Sequence, residues 1–159
     1  MILYAHRGNT NGRVLGMENN PAYIEEAIQK GFHVEIDLRT VNGQKMLGHD
    51  FPAHPVSLSW LRVHKDNLLI HAKDFKTACD LSVHGDFTFF CHNSDPFALI
   101  SNGLIWLHDL SYAGPFKGRY VLPLISLELV NTCPKHPVCA GICSDFVAAL
   151  KTVGAHVRD

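Results

Sequence analysis

A chain of 159 residues with 47% hydrophobic and 18% charged side chains fits one globular domain over residues 1–159, and it excludes a disordered or low-complexity protein. The formal net charge of -1 supplies no basic field, which excludes a general nucleic-acid binder. No apolar run approaches the ~20 residues that span a bilayer, and Met1 to Arg7 has neither a basic nor a long apolar leader, so a soluble cytoplasmic protein is expected.

In chain order, Ile2 to Ala5 reads as a buried strand ending at His6-Arg7-Gly8, followed by a Gly/Asn-rich loop over 9–16. Asn20 as N-cap and Pro21 at the first helical position open a helix over 21–30, closed by Gly31. The stretch Phe32 to Arg39 alternates with period two. His33, Glu35, Asp37 and Arg39 share one face of a strand, and Val34, Ile36 and Leu38 share the other. Val41-Asn42-Gly43-Gln44 reads as a tight turn of hairpin type, leading into a third strand over 45–48 that runs into His49-Asp50.

Residues 51–56 hold two prolines and read as loop; Ser57 caps a short helix over 57–62. Further strands are expected over 67–72, 87–91, 103–107, 120–125 and 138–143. Helices are expected over 75–83, 95–101, 127–131 and 146–153, with Asp95-Pro96 as a helix start and a loop over 113–118. Eight strands mostly separated by helical segments give the order of a compact, trimmed (β/α)8 TIM-type barrel, with an open α/β sheet of fewer strands as the alternative.

Eleven histidines are many for this length, and histidine is both a proton shuttle and a metal ligand. Five cysteines, at 79, 91, 133, 139 and 143, are an odd number set partly in apolar runs and without paired CxxC units. Reduced, packed thiols are expected rather than disulfides or a zinc site. Consecutive strand ends deliver His6-Arg7, the pair Glu35 and Asp37, and His49-Asp50.

The motifs Ala-His-Arg-Gly at 5–8, Glu-Asn at 18–19, Gly-Phe-His-Val-Glu-Ile-Asp-Leu-Arg at 31–39, Gly-His-Asp at 48–50 and Ile-His-Ala-Lys at 70–73 resemble the glycerophosphodiester phosphodiesterase family, within the phosphatidylinositol phospholipase C-like phosphodiesterases. Weaker likeness extends to Gly-Ile-Cys-Ser-Asp at 141–145. The resemblance implies metal-dependent cleavage of a small phosphodiester by two histidines, His6 and His49, as general acid and base. It implies one divalent cation, Mg²⁺ or Ca²⁺, on Glu35 and Asp37, with Arg7 and Lys73 countering phosphate charge. Glu18 resembles the family's active-site glutamate, and Asp50 is read as orienting His49. Arg7 has a structural ion pair with Glu35 or Glu18 as its alternative reading, and His54 and His64 are read as solvated.

Position 71 departs from the family pattern, in which this strand supplies a third carboxylate. His71 removes a negative charge and admits Mn²⁺ or Zn²⁺. Asp74, His92, Asp95 and Asp109 are candidates to compensate, with His92 and Asp109 read as substrate-binding. Only residues 51–66 separate the His-Asp motif from the next strand, so an open pocket is expected. The alternative function is a weakened relative that binds a phosphorylated ligand or partner at the same rim.

Overall fold

The computed structural model describes residues 1–112, 118–132 and 139–155. Most of the loop expected over 113–118, together with Cys133 and Val138, lies outside the described residues. The strands are β1 (Ile2–His6), β2 (His33–Val41), β3 (Gln44–Leu47), β4 (His54–Val56), β5 (Leu68–Ala72), β6 (Phe89–Phe90), β7 (Phe97–Leu99), β8 (Ile105–Leu107), β9 (Tyr120–Pro123) and β10 (Gly141–Ser144). The helices are α1 (Pro21–Gln29), α2 (Leu58–His64), α3 (Phe75–His84), α4 (Leu127–Thr132) and α5 (Val147–Ala155).

The strands form one curled, half-barrel sheet with the order β4-β3-β2-β1-β10-β9-β8-β7, and β5 and β6 continue from the other edge of β2. This is not a (β/α)8 barrel. Pairing is parallel along β6-β5-β2-β1-β10-β9-β8, whereas β3, β4 and β7 are antiparallel additions. The five helices among the described residues, 6 to 10 residues long, cannot supply a crossover after every strand.

Two segments account for the difference. Asn42 and Gly43 both take positive φ, 49° and 80°, the type I′ geometry of a two-residue hairpin, so β3 must return antiparallel to β2. The expected third strand therefore cannot be a barrel stave. The segment expected as a helix over 95–101 contains β7 instead. Phe97 and Leu99 are exposed while Ile100 is buried, a period of two, and the chain doubles back to pair β7 with β8.

The outward face of β2 buries Val34, Ile36 and Leu38 against α1, α2, α3 and α5 through Ile24, Ala27, Leu61, Leu81 and Val147. The inward face of the curl is filled by Tyr4, Leu69, Phe90, Ile100, Trp106, Val121 and Cys143. An antiparallel bridge between Phe90 and Ile100 ties the β6 end to the chain leaving β7. Local expectations hold at both helix starts: Asn20 accepts from the Ala22 amide at 3.0 Å, and Ser57 accepts from the Trp60 amide at 3.0 Å. Cys79 and Cys91 are exposed, against the expectation of burial, while Cys139 and Cys143 are buried; none of the four forms a disulfide among the described residues. No helix among the described residues is long and apolar enough to cross a membrane.

Candidate metal and phosphate site

The parallel strands β1, β2, β5 and β10 end on the same rim, and their terminal side chains meet in a cavity of about 800 Å³. Glu35 and Asp37 enter it because the period of two puts them on the concave face of β2. They are 2% and 0% exposed. The registers place His6 beside Glu35 and His71 beside Asp37 on the neighbouring strands.

Along β2, β1 pairs only residues 33–35 and β3 pairs only residues 38–41, which leaves a gap in the ladder. Asn19 fills it. Its Oδ1 accepts from the Asp37 amide at 2.9 Å, and its Nδ2 donates to Asp37 Oδ2 at 3.0 Å, fixing backbone and carboxylate together. Arg7 Nε lies 3.0 Å from the same oxygen, with His71 Nδ1 at 3.1 Å and Lys73 Nζ at 3.7 Å from Oδ1. Burial alone would raise the Asp37 pKa, but the His71 contact and the Arg7 charge outweigh it and hold it well below the ordinary carboxylate range.

Glu35 is the contrasting case. Its only ion-pair contact among the described residues is His6 Nε2, 4.0 Å from Oε2. Burial and then the Asp37 charge push its pKa up, against the opposing pull of His6, His71 and Arg7. Glu35 Oε2 and Asp37 Oδ1 are buried without a hydrogen-bond partner among the described residues. Glu35, Asp37 and His71 offer ligand atoms within 4.8 Å of one another, so this donor set fits a divalent cation. A second group, His6, Glu18 and Asp145, is equally close, and its carboxylates, like that of Asp37, are already engaged. Asp145 Oδ1 takes His6 Nδ1 and Asn9 Nδ2, both at 2.8 Å, and Glu18 pairs with Arg13 at 2.7 Å and Arg7 at 3.6 Å.

His6 is thereby oriented. Its Nδ1–H donates to Asp145, which turns Nε2 to the Glu35 side of the cavity. Burial works against ionisation of Asp145, yet the His6 and Asn9 hydrogen bonds keep its pKa below normal. His49 reaches the cavity from the loop after the antiparallel β3, not from the end of a parallel strand. Arg39 Nη2 donates to the Gly48 carbonyl at 2.9 Å and to the His49 carbonyl, and His49 Nδ1 donates to Asp50 at 2.8 Å.

Of the residues singled out by sequence, His6, Arg7, Glu18, Glu35, Asp37, His49, His71, Lys73 and His92 line this cavity. Arg7 pairs with Asp37 and Glu18, not with Glu35. Asp50 stays exposed behind His49. Asp109 does not line the cavity: its carboxylate accepts from the Ser111 amide at 2.9 Å in an exposed turn. Asp74 caps α3 and bonds Thr40 and Thr77, so its carboxylate serves the scaffold. Asp95 does not line the cavity, and its carbonyl accepts from His92 Nε2 at 2.6 Å.

Sequence reasoning missed Asn9, Asn19, Arg13 and Asp145 as participants. The Glu-Asn and Gly-Ile-Cys-Ser-Asp motifs contained two of them, but their partners lie 18 and 139 positions away. It also missed the far wall of Phe90, Trp106 and His108, where Trp106 Nε1 donates to His108 Nε2 at 2.9 Å. Burial and the neighbouring His92 and His71 lower the His108 pKa to about 4, which keeps that ring neutral. Comparison of the chain with protein-family models, curated proteins and solved structures returns no match.

Proposed function

We propose that the protein cleaves a small phosphodiester, of the glycerophosphodiester or a related phospholipid or sugar-phosphate class, in a divalent-cation-dependent reaction at this cavity. The observation that carries the reading is the buried Glu35 Oε2, without a hydrogen-bond partner among the described residues, next to Asp37 and beside a histidine whose other nitrogen is held by a carboxylate. An ionised carboxylate at this depth without a hydrogen bond is costly unless a cation shares the space. The motif resemblance over residues 5–73 adds independent support.

Glu35, Asp37 and His71 would hold the cation, whose chemistry is to draw charge from a phosphoryl oxygen. The chain's own groups supply the proton traffic. His6 Nε2, with Nδ1–H held by Asp145, is set up to take a proton from the nucleophile, and His49 faces the same cavity from the hairpin loop to protonate the leaving oxygen. Arg7 and Lys73 add positive charge beside the phosphoryl oxygens. The odd cysteine count supports a reducing, cytoplasmic setting.

A second reading is a phosphorylated-ligand binder without turnover. What favours it is that Arg7, His71 and Lys73 already surround Asp37. Phosphorus-31 NMR of a glycerophosphodiester incubated with the protein and a divalent cation separates the two. Diester cleavage yields a phosphomonoester and an alcohol when water attacks, or a cyclic phosphate and an alcohol when a substrate hydroxyl attacks, and His49→Ala slows it at least tenfold. An unchanged diester signal leaves only the binder.

A further inference from the structure

We propose that the cation site selects a borderline transition ion, Zn²⁺ foremost, over Ca²⁺ and Mg²⁺, and that His71 sets this preference. The inference rests on the cation half of the function proposed above. Ca²⁺ takes 6–8 oxygen ligands and Mg²⁺ near-octahedral oxygens, whereas imidazole suits Zn²⁺ and its neighbours. Here the ligand set is two carboxylates and one imidazole. The other acids at the cavity belong to the second group, where Asp145 Oδ1 binds His6 and Asn9 while Glu18 binds Arg13 and Arg7. The donor set contains no third carboxylate.

The His71 ring is also fixed in the orientation that ligation needs. Its Nε2–H donates to the His92 carbonyl at 3.2 Å, and a carbonyl can only accept, so Nε2 is committed as a donor. The ring stacks on buried Phe90, with centroids 4.7 Å apart and planes 10° apart, which resists a swing out of the site. Nδ1 is left facing Asp37 Oδ1 at 3.1 Å. A nitrogen lone pair and a carboxylate oxygen this close require a proton or a cation between them. A second-row support of this kind, an imidazole N–H on a main-chain carbonyl, is what holds histidine ligands in transition-metal centres.

The test is calorimetric titration of chelator-stripped protein with Zn²⁺, Mn²⁺, Ca²⁺ and Mg²⁺, without substrate, on the wild type, His71→Asp and Glu35→Gln. Thermal melts establish that each variant is folded. The expected result is a Zn²⁺ affinity at least a hundredfold above that for Ca²⁺ or Mg²⁺. His71→Asp narrows that ratio at least tenfold and strengthens Ca²⁺ binding, and Glu35→Gln removes the Zn²⁺ event. Co²⁺ in place of Zn²⁺ gives visible d–d bands that shift in His71→Asp. Equal or tighter Ca²⁺ or Mg²⁺ binding, a preference unchanged by His71→Asp, Zn²⁺ binding that survives Glu35→Gln, or no binding of any ion overturns the proposal. Because no substrate is present, Zn²⁺ bound at Glu35 with no diester turnover overturns the hydrolase and leaves this selectivity standing.

Discussion

The charge balance at the rim turns on single residues. Asp145 touches His6 and no reacting group, which makes it a positioning residue. Asp145→Asn is expected to lower kcat about ten- to a hundredfold with little change in KM, and to move the His6-dependent limb of the pH–rate profile. An equal loss in KM, or an unmoved limb, would contradict that role. Glu35 carries the opposite liability. Its raised pKa means that the folded chain binds the proton more tightly than the unfolded one, so its contribution is fully present below the ordinary glutamate pKa of ~4.3 and is lost as pH rises through the raised value. In cation-free buffer, Glu35→Gln should therefore stabilise the fold at neutral pH by about 1–3 kcal/mol, by removing the cost of ionising a buried carboxyl beside Asp37. Thermal melts across pH 4 to 8 check this, and a wild type that keeps pace with the variant over the whole range would contradict it.

At the scale of elements, the hairpin from β2 to β3 decides where His49 goes. Gly48 takes φ +143°, and a Cβ there would overlap the Phe51 carbonyl oxygen. Gly48→Ala should displace the loop and cut diester turnover at least tenfold, at a stability cost of about 1–3 kcal/mol from backbone strain. Turnover at the wild-type rate would show that His49 is not needed where it lies. Much of this element was readable in advance. The period-two pattern over 32–39 assigns faces correctly because one face is buried, and Asn42-Gly43 marks the turn by its tolerance of positive φ. That same turn forbids a parallel third strand, a consequence that a count of strands alone overlooks. Asp95-Pro96 resembles a helix start, yet Phe97 to Ile100 is too short a run to settle helix against strand, and pairing with β8 settles it.

For the whole molecule, the curl of the sheet decides what a fully wound barrel would otherwise have decided. Helices cover the outward face, and the concave face is packed by side chains, so the rim residues converge without eight βα units. Phe90 is central to that packing: it stacks on Trp106 at 4.6 Å and on His71 at 4.7 Å, and bridges to Ile100. Phe90→Ala should destabilise the fold by about 3–5 kcal/mol and weaken cation binding through a freed His71 ring, read by denaturant melts and calorimetry. Loss of stability with cation affinity intact would separate Phe90 from the site. Such long-range closure was not legible in the sequence, because strands of two or three residues carry almost no periodicity.

The central claim is that the buried carboxylates and His6 form one catalytic unit. The most direct test is the initial rate of bis(p-nitrophenyl) phosphate hydrolysis by wild type and His6→Ala, with each divalent cation and with a chelator. The account predicts turnover that appears with a cation, disappears with the chelator and falls at least a hundredfold in a folded His6→Ala variant. Turnover indifferent to His6→Ala, or none with any cation, would contradict it.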